Sequence, residues 1–168
     1  VREKQEAGWS MDKIMQGIYA KGRDNARTPM QWSAQEYGGF SDHEPWIRMN
    51  PNYERINVEE AQADNDSIFH FYQKLIRLRK EWEIISTGDF TLLFEDDRNL
   101  FAYKREADGE RLIVIANFTG EDVQCGLPDE IKPGRGQILL SNYDRDSVEK
   151  KMKLRPYESF MYYEKTEK

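Results

Sequence analysis

The chain has 168 residues, which is enough for one ordinary domain or two small ones. Its net charge of −6 comes from 25 basic and 31 acidic residues without a block of like charge, which argues against a nucleic-acid-binding protein, because such proteins normally carry a basic stripe. The sequence contains no apolar run of about 18 residues and therefore predicts no membrane span, and its single cysteine, Cys125, excludes an internal disulfide and fits a reducing, cytoplasmic compartment.

The first predicted helix follows Ser10, whose hydroxyl can accept a hydrogen bond from the free N–H groups of a first turn. Apolar residues then recur at helical spacing and form one stripe, namely Met11, Ile14, Met15 and Ile18. Gly22 is a suitable residue to end this helix. The chain starts at Val1 rather than at a methionine, and we expect it to be the later part of a longer protein.

The next segment, Gly22–Trp32, carries an unusual concentration of polar side chains: Gly-Arg-Asp-Asn-Ala-Arg-Thr-Pro-Met-Gln-Trp. Pro29 lacks an N–H group and favours an extended Thr28, so the polar run cannot simply continue a helix. Two interpretations are open on chemistry alone. The segment is either a loop that binds a polar ligand, or a loop held by internal ion pairs in which Arg23 or Arg27 meets Asp24.

A long irregular passage runs from about Ser33 to Ala63, broken by glycine, proline and asparagine. A passage of this length inside a compact domain is usually functional or packed as a cover over a larger body. Trp32 and Trp46 could stack on sugars or could anchor the passage. A strong amphipathic helix is then predicted over 68–82, with a wide apolar face made of Ile68, Phe71, Tyr72, Leu75, Ile76, Leu78 and Trp82.

From Gly88 onward, apolar residues recur at every second position, which is the spacing of β-strands. Six strands are predicted, at 90–95, 100–105, 112–118, 137–140, 151–154 and 159–163. Asp108-Gly109 is a typical hairpin turn, and the apolar run 112–116 is typical of a central strand covered on both faces. The pattern predicts a small antiparallel β-sandwich that begins near Ser86-Thr87-Gly88.

No evident active site can be assembled from these residues. The sequence has no glycine-rich phosphate loop, no nucleophile elbow and no HExxH motif, so we expect no bound cofactor. It has two histidines and one cysteine without ligand spacing, so we expect no metal site. The acidic pairs at Asp96-Asp97 and Asp144–Asp146 fall at turns, where aspartate bonds to its own backbone, and are interpreted as structural.

The segment Gly22–Trp32 resembles a stretch of the oligo-1,6-glucosidase and α-glucosidase branch of the α-amylase superfamily of glycoside hydrolases. The similarity continues through Pro45-Trp46-Ile47, Asn50–Tyr53 and Ile56–Glu59, and then through Asp66–Phe69, Val114–Phe118 and Leu154–Glu158. The resemblance implies an α+β fragment: the end of a (β/α)₈ barrel over residues 1–86, followed by an antiparallel β-sandwich C-terminal domain over residues 87–168.

The resemblance also implies a function for the longer protein. These enzymes hydrolyse α-glucosidic bonds with retention, which requires two carboxyl groups about 5–5.5 Å apart. The motifs that carry those carboxylates lie upstream of the matching region, so no catalytic residue is assigned in this chain and we expect the fragment to be inactive. Arg27 matches an arginine that reaches the glucose pocket, and Arg23 and Asp24 are weaker substrate-binding candidates.

The substrate stays open at this point. Ser33 stands where the family usually has an acidic residue, and Gly38 replaces a common alanine, so the preferred linkage is in doubt. Isomalto-oligosaccharides with α-1,6 bonds are the expected substrates, and trehalose 6-phosphate, maltose and sucrose are the alternatives. A carbohydrate-binding module or a purely structural β-domain are further alternatives. The expected partners are a small oligosaccharide and the missing barrel, with neither nucleic acid nor membrane.

Overall fold

A computed structural model gives the fold of the chain and describes residues 1–22 and 26–166. These residues fall into two compact units, Val1–His70 and Phe71–Lys168. The first unit contains helices and irregular backbone, and the second contains a helical start and seven described strands. No helix in the described ranges is both long enough and apolar enough to cross a membrane.

The first unit opens with helices α1, Arg2–Glu6, and α2, Met11–Lys21. The Ser10 hydroxyl accepts a hydrogen bond from the Lys13 backbone N–H, and Gly22 follows the last turn. The predicted start and end of this helix are therefore confirmed. Of the apolar stripe, only Ile14 is buried within the described part of α2, so most of the stripe is exposed in this structure.

The irregular passage is built from short turns fixed by side-chain hydrogen bonds. It includes 3₁₀ segments at Glu36–Gly39 and Pro51–Glu54 and ends in helix α3, Val58–Ala63. Asn57 caps α3, because its side-chain oxygen accepts from the Glu60 N–H at 2.9 Å. The same side chain donates to the Tyr53 carbonyl at 2.9 Å, which joins the cap to the preceding turn.

Helix α4, Ile68–Glu81, occupies nearly the predicted range and is followed by the short helix α5, Ile84–Thr87. The predicted wide buried face is only partly right. Leu75, Leu78 and Trp82 pack against a buried cluster of the second unit, whereas Ile68, Tyr72 and Ile76 remain mostly exposed.

The second unit is an antiparallel sheet of five strands in the order β1-β2-β3-β7-β5, together with the pair β4-β6. The strand bounds are Asp89–Leu93, Leu100–Ala107, Glu110–Asn117, Val123–Gly126, Gly136–Ser141, Lys151–Leu154 and Ser159–Lys165 for β1 to β7. All described pairings are antiparallel. The predicted antiparallel domain is confirmed.

Strand β3 lies at the centre of the larger sheet and is covered on both faces, as predicted. Ile113 and Ile115 belong to a core shared with Cys125 and Leu154 of the smaller sheet. Leu112 points to the opposite face and joins the cluster that contains Ile84, Met161 and Tyr163. One face of the large sheet therefore packs on β4-β6, and the other carries α4 and α5.

Local backbone geometry explains where the strand predictions succeeded and failed. Asp108 and Gly109 adopt φ of 48° and 80°, which is the geometry of a type I′ hairpin turn and confirms the predicted β2–β3 hairpin. Strand β1 ends before the predicted Glu95, because Phe94 has a φ of 55° and breaks the extended backbone. Strand β4 was not predicted, because Val-Gln-Cys-Gly is short and weakly patterned.

Candidate functional site

Arg27 is the one predicted substrate-binding residue whose surroundings the structure describes. Its side chain is exposed. No described residue accepts a hydrogen bond from its guanidinium or forms an ion pair with it. Thr28 after it is half-buried and Pro29 is buried, so the backbone is held immediately beyond the arginine. Arg23 and Asp24 lie outside the described residues.

The C-terminal end of the segment is fixed through Gln31. Its side-chain amide donates to the Asn52 side-chain oxygen at 2.9 Å and also to the Ile56 carbonyl. Its backbone carbonyl accepts from the Val58 N–H at 2.9 Å, at the first residue of α3. A pre-positioned loop loses less conformational entropy when a ligand binds, so this anchoring suits the loop to ligand recognition.

The two departures from the family pattern, Ser33 and Gly38, meet in one tight turn. The Gly38 carbonyl accepts hydrogen bonds from the N–H groups of Trp32 at 2.8 Å and Ser33 at 3.0 Å. Gly38 has a φ of 63°, and a Cβ atom there would lie 2.8 Å from the Met49 methyl carbon. Alanine at this position would therefore require both a rare backbone conformation and movement of Met49.

The tryptophans of the irregular passage are exposed rather than anchored in the described structure. Trp46 exposes 94% of its surface and Trp32 exposes 50%. Indole rings left in water at this level are unusual unless they contact a ligand or another part of a protein. The exposed rings of Trp32 and Trp46 are therefore accessible to a sugar or to another part of a protein.

The best-organised carboxylate in the described residues is structural. Glu158 is fully buried and its two oxygens accept from Arg145 at 2.6 Å and from the Arg155 backbone and side chain at 2.8 and 3.0 Å. Burial by itself raises the pKa of this carboxyl, but the hydrogen bonds from Arg155 and Arg145 outweigh it and hold the pKa at about 2. A permanently ionised, fully bonded carboxylate cannot serve as a general acid.

Asp97, in the acidic pair Asp96-Asp97, has the structural role expected of it. The Asp97 side chain accepts from the Asn99 and Leu100 N–H groups at 2.8 and 3.2 Å and so stabilises the turn before β2. Within the ranges that the structure describes, no group of three or more His, Cys, Asp or Glu side chains is arranged to hold a metal ion.

Comparisons with known proteins agree with the fold. The family model "Alpha amylase, catalytic domain" matches residues 1–88, and the model "Alpha-amylase SusG C-terminal domain" matches residues 100–161. The chain belongs to the alpha-amylase family and consists of the end of the catalytic barrel followed by a C-terminal β-sandwich domain. The first match ends just before strand β1, and the second begins after that strand.

Relatives of high similarity include two oligo-1,6-glucosidases and a trehalose-6-phosphate hydrolase. An oligo-1,6-glucosidase of Halalkalibacterium halodurans is 46% identical over 99% of this chain, and one of Bacillus cereus is 48% identical over 94%. The crystal structure of Bacillus licheniformis trehalose-6-phosphate hydrolase superposes on 96% of the chain with a TM-score of 0.88 and 44% identity. The chain spans 30%, 28% and 30% of the lengths of these three proteins, respectively.

Proposed function

We propose that this chain is the C-terminal part of a retaining α-glucosidase that acts on short α-glucosides, with isomalto-oligosaccharides as the main substrates. The observation that carries the proposal is the 46% and 48% identity to two oligo-1,6-glucosidases over nearly the whole chain. The polar segment that ends at Gln31 and Trp32 lies inside that similarity. In this proposal residues 1–86 complete the barrel, residues 87–168 form the β-domain, and the enzyme works in the cytoplasm.

The proposed role of Arg27 is to bind glucose hydroxyls at the wall of the pocket. Support comes from its exposed guanidinium, which has no acceptor among the described residues, and from the buried Pro29 beside it. A guanidinium presents its donors in a fixed fork and can bridge sugar hydroxyls and a pocket carboxylate. Arg23 and Asp24 are proposed to contribute to the same wall, mainly by shaping the loop.

The 168-residue chain by itself is proposed to be inactive. Retaining hydrolysis requires a nucleophile and an acid/base carboxyl on opposite sides of the scissile bond. Among the described residues, the buried carboxylates Glu158 and Glu164 are held by arginines inside the β-domain. The catalytic pair is therefore expected in the barrel segment that precedes this region in the relatives.

A trehalose-6-phosphate hydrolase is the second candidate for the longer enzyme. Such a hydrolase of Bacillus subtilis is 43% identical over 94% of this chain, close to the values for the oligo-1,6-glucosidases. Sucrose-acting relatives are less favoured, because the trehalulose synthase MutB, one structure of which contains the substrate sucrose, shares only 30% identity with this chain.

A comparison of substrates tests the proposal. The longer polypeptide and the 168-residue chain are each assayed with isomaltose, maltose, sucrose and trehalose 6-phosphate. We expect the longer polypeptide to prefer isomaltose and the 168-residue chain to release no glucose from any of them. A clear preference for trehalose 6-phosphate would select the second candidate. Saturable hydrolysis by the 168-residue chain would overturn the assignment of the catalytic carboxylates.

A carbohydrate-binding β-domain is a candidate from a different class, and one observation favours it. Phe90, Phe101 and Phe118 expose 54%, 46% and 68% of their surfaces on the β-domain, although their strand patterning is typical of a core. Exposed aromatic rings are a common means of binding sugars. Affinity electrophoresis of the chain in a gel containing dextran or glycogen tests this candidate, since a sugar-binding surface would retard migration.

A further inference from the structure

Two large apolar side chains project from the polar segment a few residues beyond Arg27. Met30 exposes 49% and Trp32 exposes 50% of its surface, whereas Pro29 is buried and the Gln31 amide donates two hydrogen bonds to the body of the first unit. Burial thus alternates residue by residue, as it does in an extended segment, where every second side chain lies on the same side. Met30 and Trp32 therefore form one apolar surface, the indole platform.

The backbone that carries the Trp32 indole is fixed at both of its polar groups. The Trp32 N–H donates to the Gly38 carbonyl at 2.8 Å, and the Trp32 carbonyl accepts from the Glu59 N–H at 3.0 Å, in the first turn of α3. The Trp32 Cβ lies beside Gly39, where an added Cβ atom would approach it to 3.7 Å. A ring on a backbone held in this way loses little further entropy when a ligand binds.

Trp46 has a more exposed indole but lacks this support. It exposes 94% of its surface, and its backbone makes no hydrogen bond to any residue in the described ranges. Exposure alone therefore does not distinguish Trp32. Its fixed backbone and its place in the polar segment do, and the two tryptophans of the first unit form a matched pair for experiment.

The indole platform lies within reach of a sugar bound at Arg27. Trp32 follows Arg27 by five positions, and five residues span at most about 18 Å even when fully extended. The chain bends at Arg27 and Thr28, which shortens this separation. One oligosaccharide of a few glucose units can therefore contact the Arg27 guanidinium and the indole at the same time.

The chemistry of the platform suits the apolar face of a glucose ring. The C–H groups of a pyranose carry partial positive charge, and the face of an indole is negative, so the two surfaces attract when they stack. The Met30 thioether is flexible and polarizable and can adjust to the edge of such a ring. An α-1,6 bond contains one more rotatable bond than an α-1,4 bond, which allows a distal glucose to turn onto the platform.

We propose that the indole platform is a subsite for the third glucose unit of an isomalto-oligosaccharide, with the apolar face of that unit stacked on Trp32. This inference rests on the proposed function, because the position of the first glucose is set by Arg27. It adds a preference for chain length: the platform stabilises bound isomaltotriose and makes no contact with isomaltose, which is one glucose too short.

Steady-state kinetics of the longer polypeptide with isomaltotriose and isomaltose tests the subsite. Trp32→Ala removes the ring but keeps both backbone hydrogen bonds, and Trp32→Tyr keeps an aromatic ring. We expect Trp32→Ala to raise KM for isomaltotriose about tenfold, with little change in kcat or in KM for isomaltose. Trp32→Tyr should restore most of the lost affinity. Trp46→Ala is the matched control and should leave all four values unchanged.

Three results would overturn the subsite. An equal rise in KM for both sugars in Trp32→Ala would mean that the ring supports the loop rather than the third glucose. A Trp32→Tyr variant as weak as Trp32→Ala would mean that stacking is not involved. A rise in Trp46→Ala as large as in Trp32→Ala would remove the distinction between the two indoles.

Fluorescence quenching by acrylamide shows what covers the ring. The signal of Trp32 is the difference between the native longer polypeptide and its Trp32→Phe variant. We expect acrylamide to quench this signal in the free protein, and isomaltotriose to reduce the quenching more than isomaltose does. A Trp32 signal that is already shielded without sugar would mean that another part of the polypeptide covers the indole, and would overturn the proposal.

The failure of the subsite and the failure of the proposed function give different results. A polypeptide that hydrolyses isomaltose, and whose preference for isomaltotriose is the same in Trp32→Ala, keeps the proposed function and loses the subsite. A polypeptide that hydrolyses no α-glucoside, but whose Trp32 signal is protected by isomaltotriose, refutes the proposed function and keeps a sugar-binding platform at Trp32.

Discussion

The Arg145 Nε atom lies 2.6 Å from Glu158 Oε1, in a pair whose carboxylate is completely buried and whose arginine exposes 13% of its side chain. Arg155 holds the second oxygen at 3.0 Å. The same two arginines lie over aromatic rings, Arg145 over Phe160 and Arg155 over Tyr143. This arrangement joins the loop after β5 to the turn before β7.

Replacement of Glu158 should strongly destabilise the β-domain. Glu158→Gln removes the negative charge and leaves the buried Arg145 without its counter-ion, and breaking one partner of a buried pair costs about 3–5 kcal/mol. Urea denaturation of the 168-residue chain, followed by circular dichroism, measures the loss. Glu149→Gln is the control, because Glu149 is exposed and its substitution should change the free energy of unfolding little. Equal midpoints for the two variants would contradict the assigned role of Glu158.

The lowered pKa of the Glu158 carboxyl predicts that the stability of the folded chain depends on pH. The pKa of Glu158 is about 2 in the folded chain against an ordinary value of 4.5. The unfolded chain therefore binds the proton at a higher pH than the folded chain does. The contribution of the Glu158 carboxylate to the free energy of unfolding is complete above about pH 4.5 and is lost as the pH falls toward 2. Denaturation curves at several pH values between 6 and 2 should show a steeper loss for the native sequence than for Glu158→Gln. Parallel curves would show that Glu158 does not contribute.

Trp82 should be far more important for the stability of the isolated chain than Trp46. The Trp82 ring meets Tyr163 edge to face at 4.5 Å and packs on the cluster under α4 and α5. Trp82→Ala should lower the free energy of unfolding by about 3 kcal/mol. Trp46→Ala is the matched control and should have almost no effect, because Trp46 is 94% exposed. Thermal unfolding of both variants measures this difference, and similar melting temperatures would argue against it.

Cys125 should be unreactive until the β-domain unfolds. Burial raises the pKa of the Cys125 thiol to about 11, and the nearby Asp97 contributes in the same direction. At pH 8 almost no thiolate is present, and the thiolate is the reactive form. A disulfide reagent such as DTNB should react slowly in buffer and rapidly in urea, at the concentration where circular dichroism shows unfolding. Rapid reaction in buffer would mean that this core is open.

Local sequence signals predicted much of the fold. Ser10, Gly22 and Asp108-Gly109 each fix the backbone through their own chemistry, and the structure places α2 and the β2–β3 hairpin where these residues require them. The predicted α4 differs from the observed helix by only one residue at its end. Signals of this kind depend on neighbours within a few positions, which a single sequence displays directly.

Features that depend on distant residues could not be predicted. The Arg145–Glu158 pair joins positions 13 apart along the chain, and neither residue has a local pattern that marks it as buried. The hydrophobic spacing of α4 predicted a buried face but could not show which elements cover it, and Ile68 and Tyr72 are in fact exposed. At the candidate site, Arg27 was identified by resemblance, whereas the anchoring of Gln31 by Asn52 required the structure.

The most direct test of the central claim is the kcat/KM of the longer polypeptide for isomaltose, compared with that of its Arg27→Ala variant. Loss of a charge-assisted hydrogen bond to the substrate is worth about 1.5–3 kcal/mol, so we expect kcat/KM to fall by about 10- to 100-fold. Arg48→Ala is the control, because Arg48 is an exposed arginine of the same unit and should leave kcat/KM unchanged. Equal kcat/KM values for the native sequence and Arg27→Ala would contradict the account.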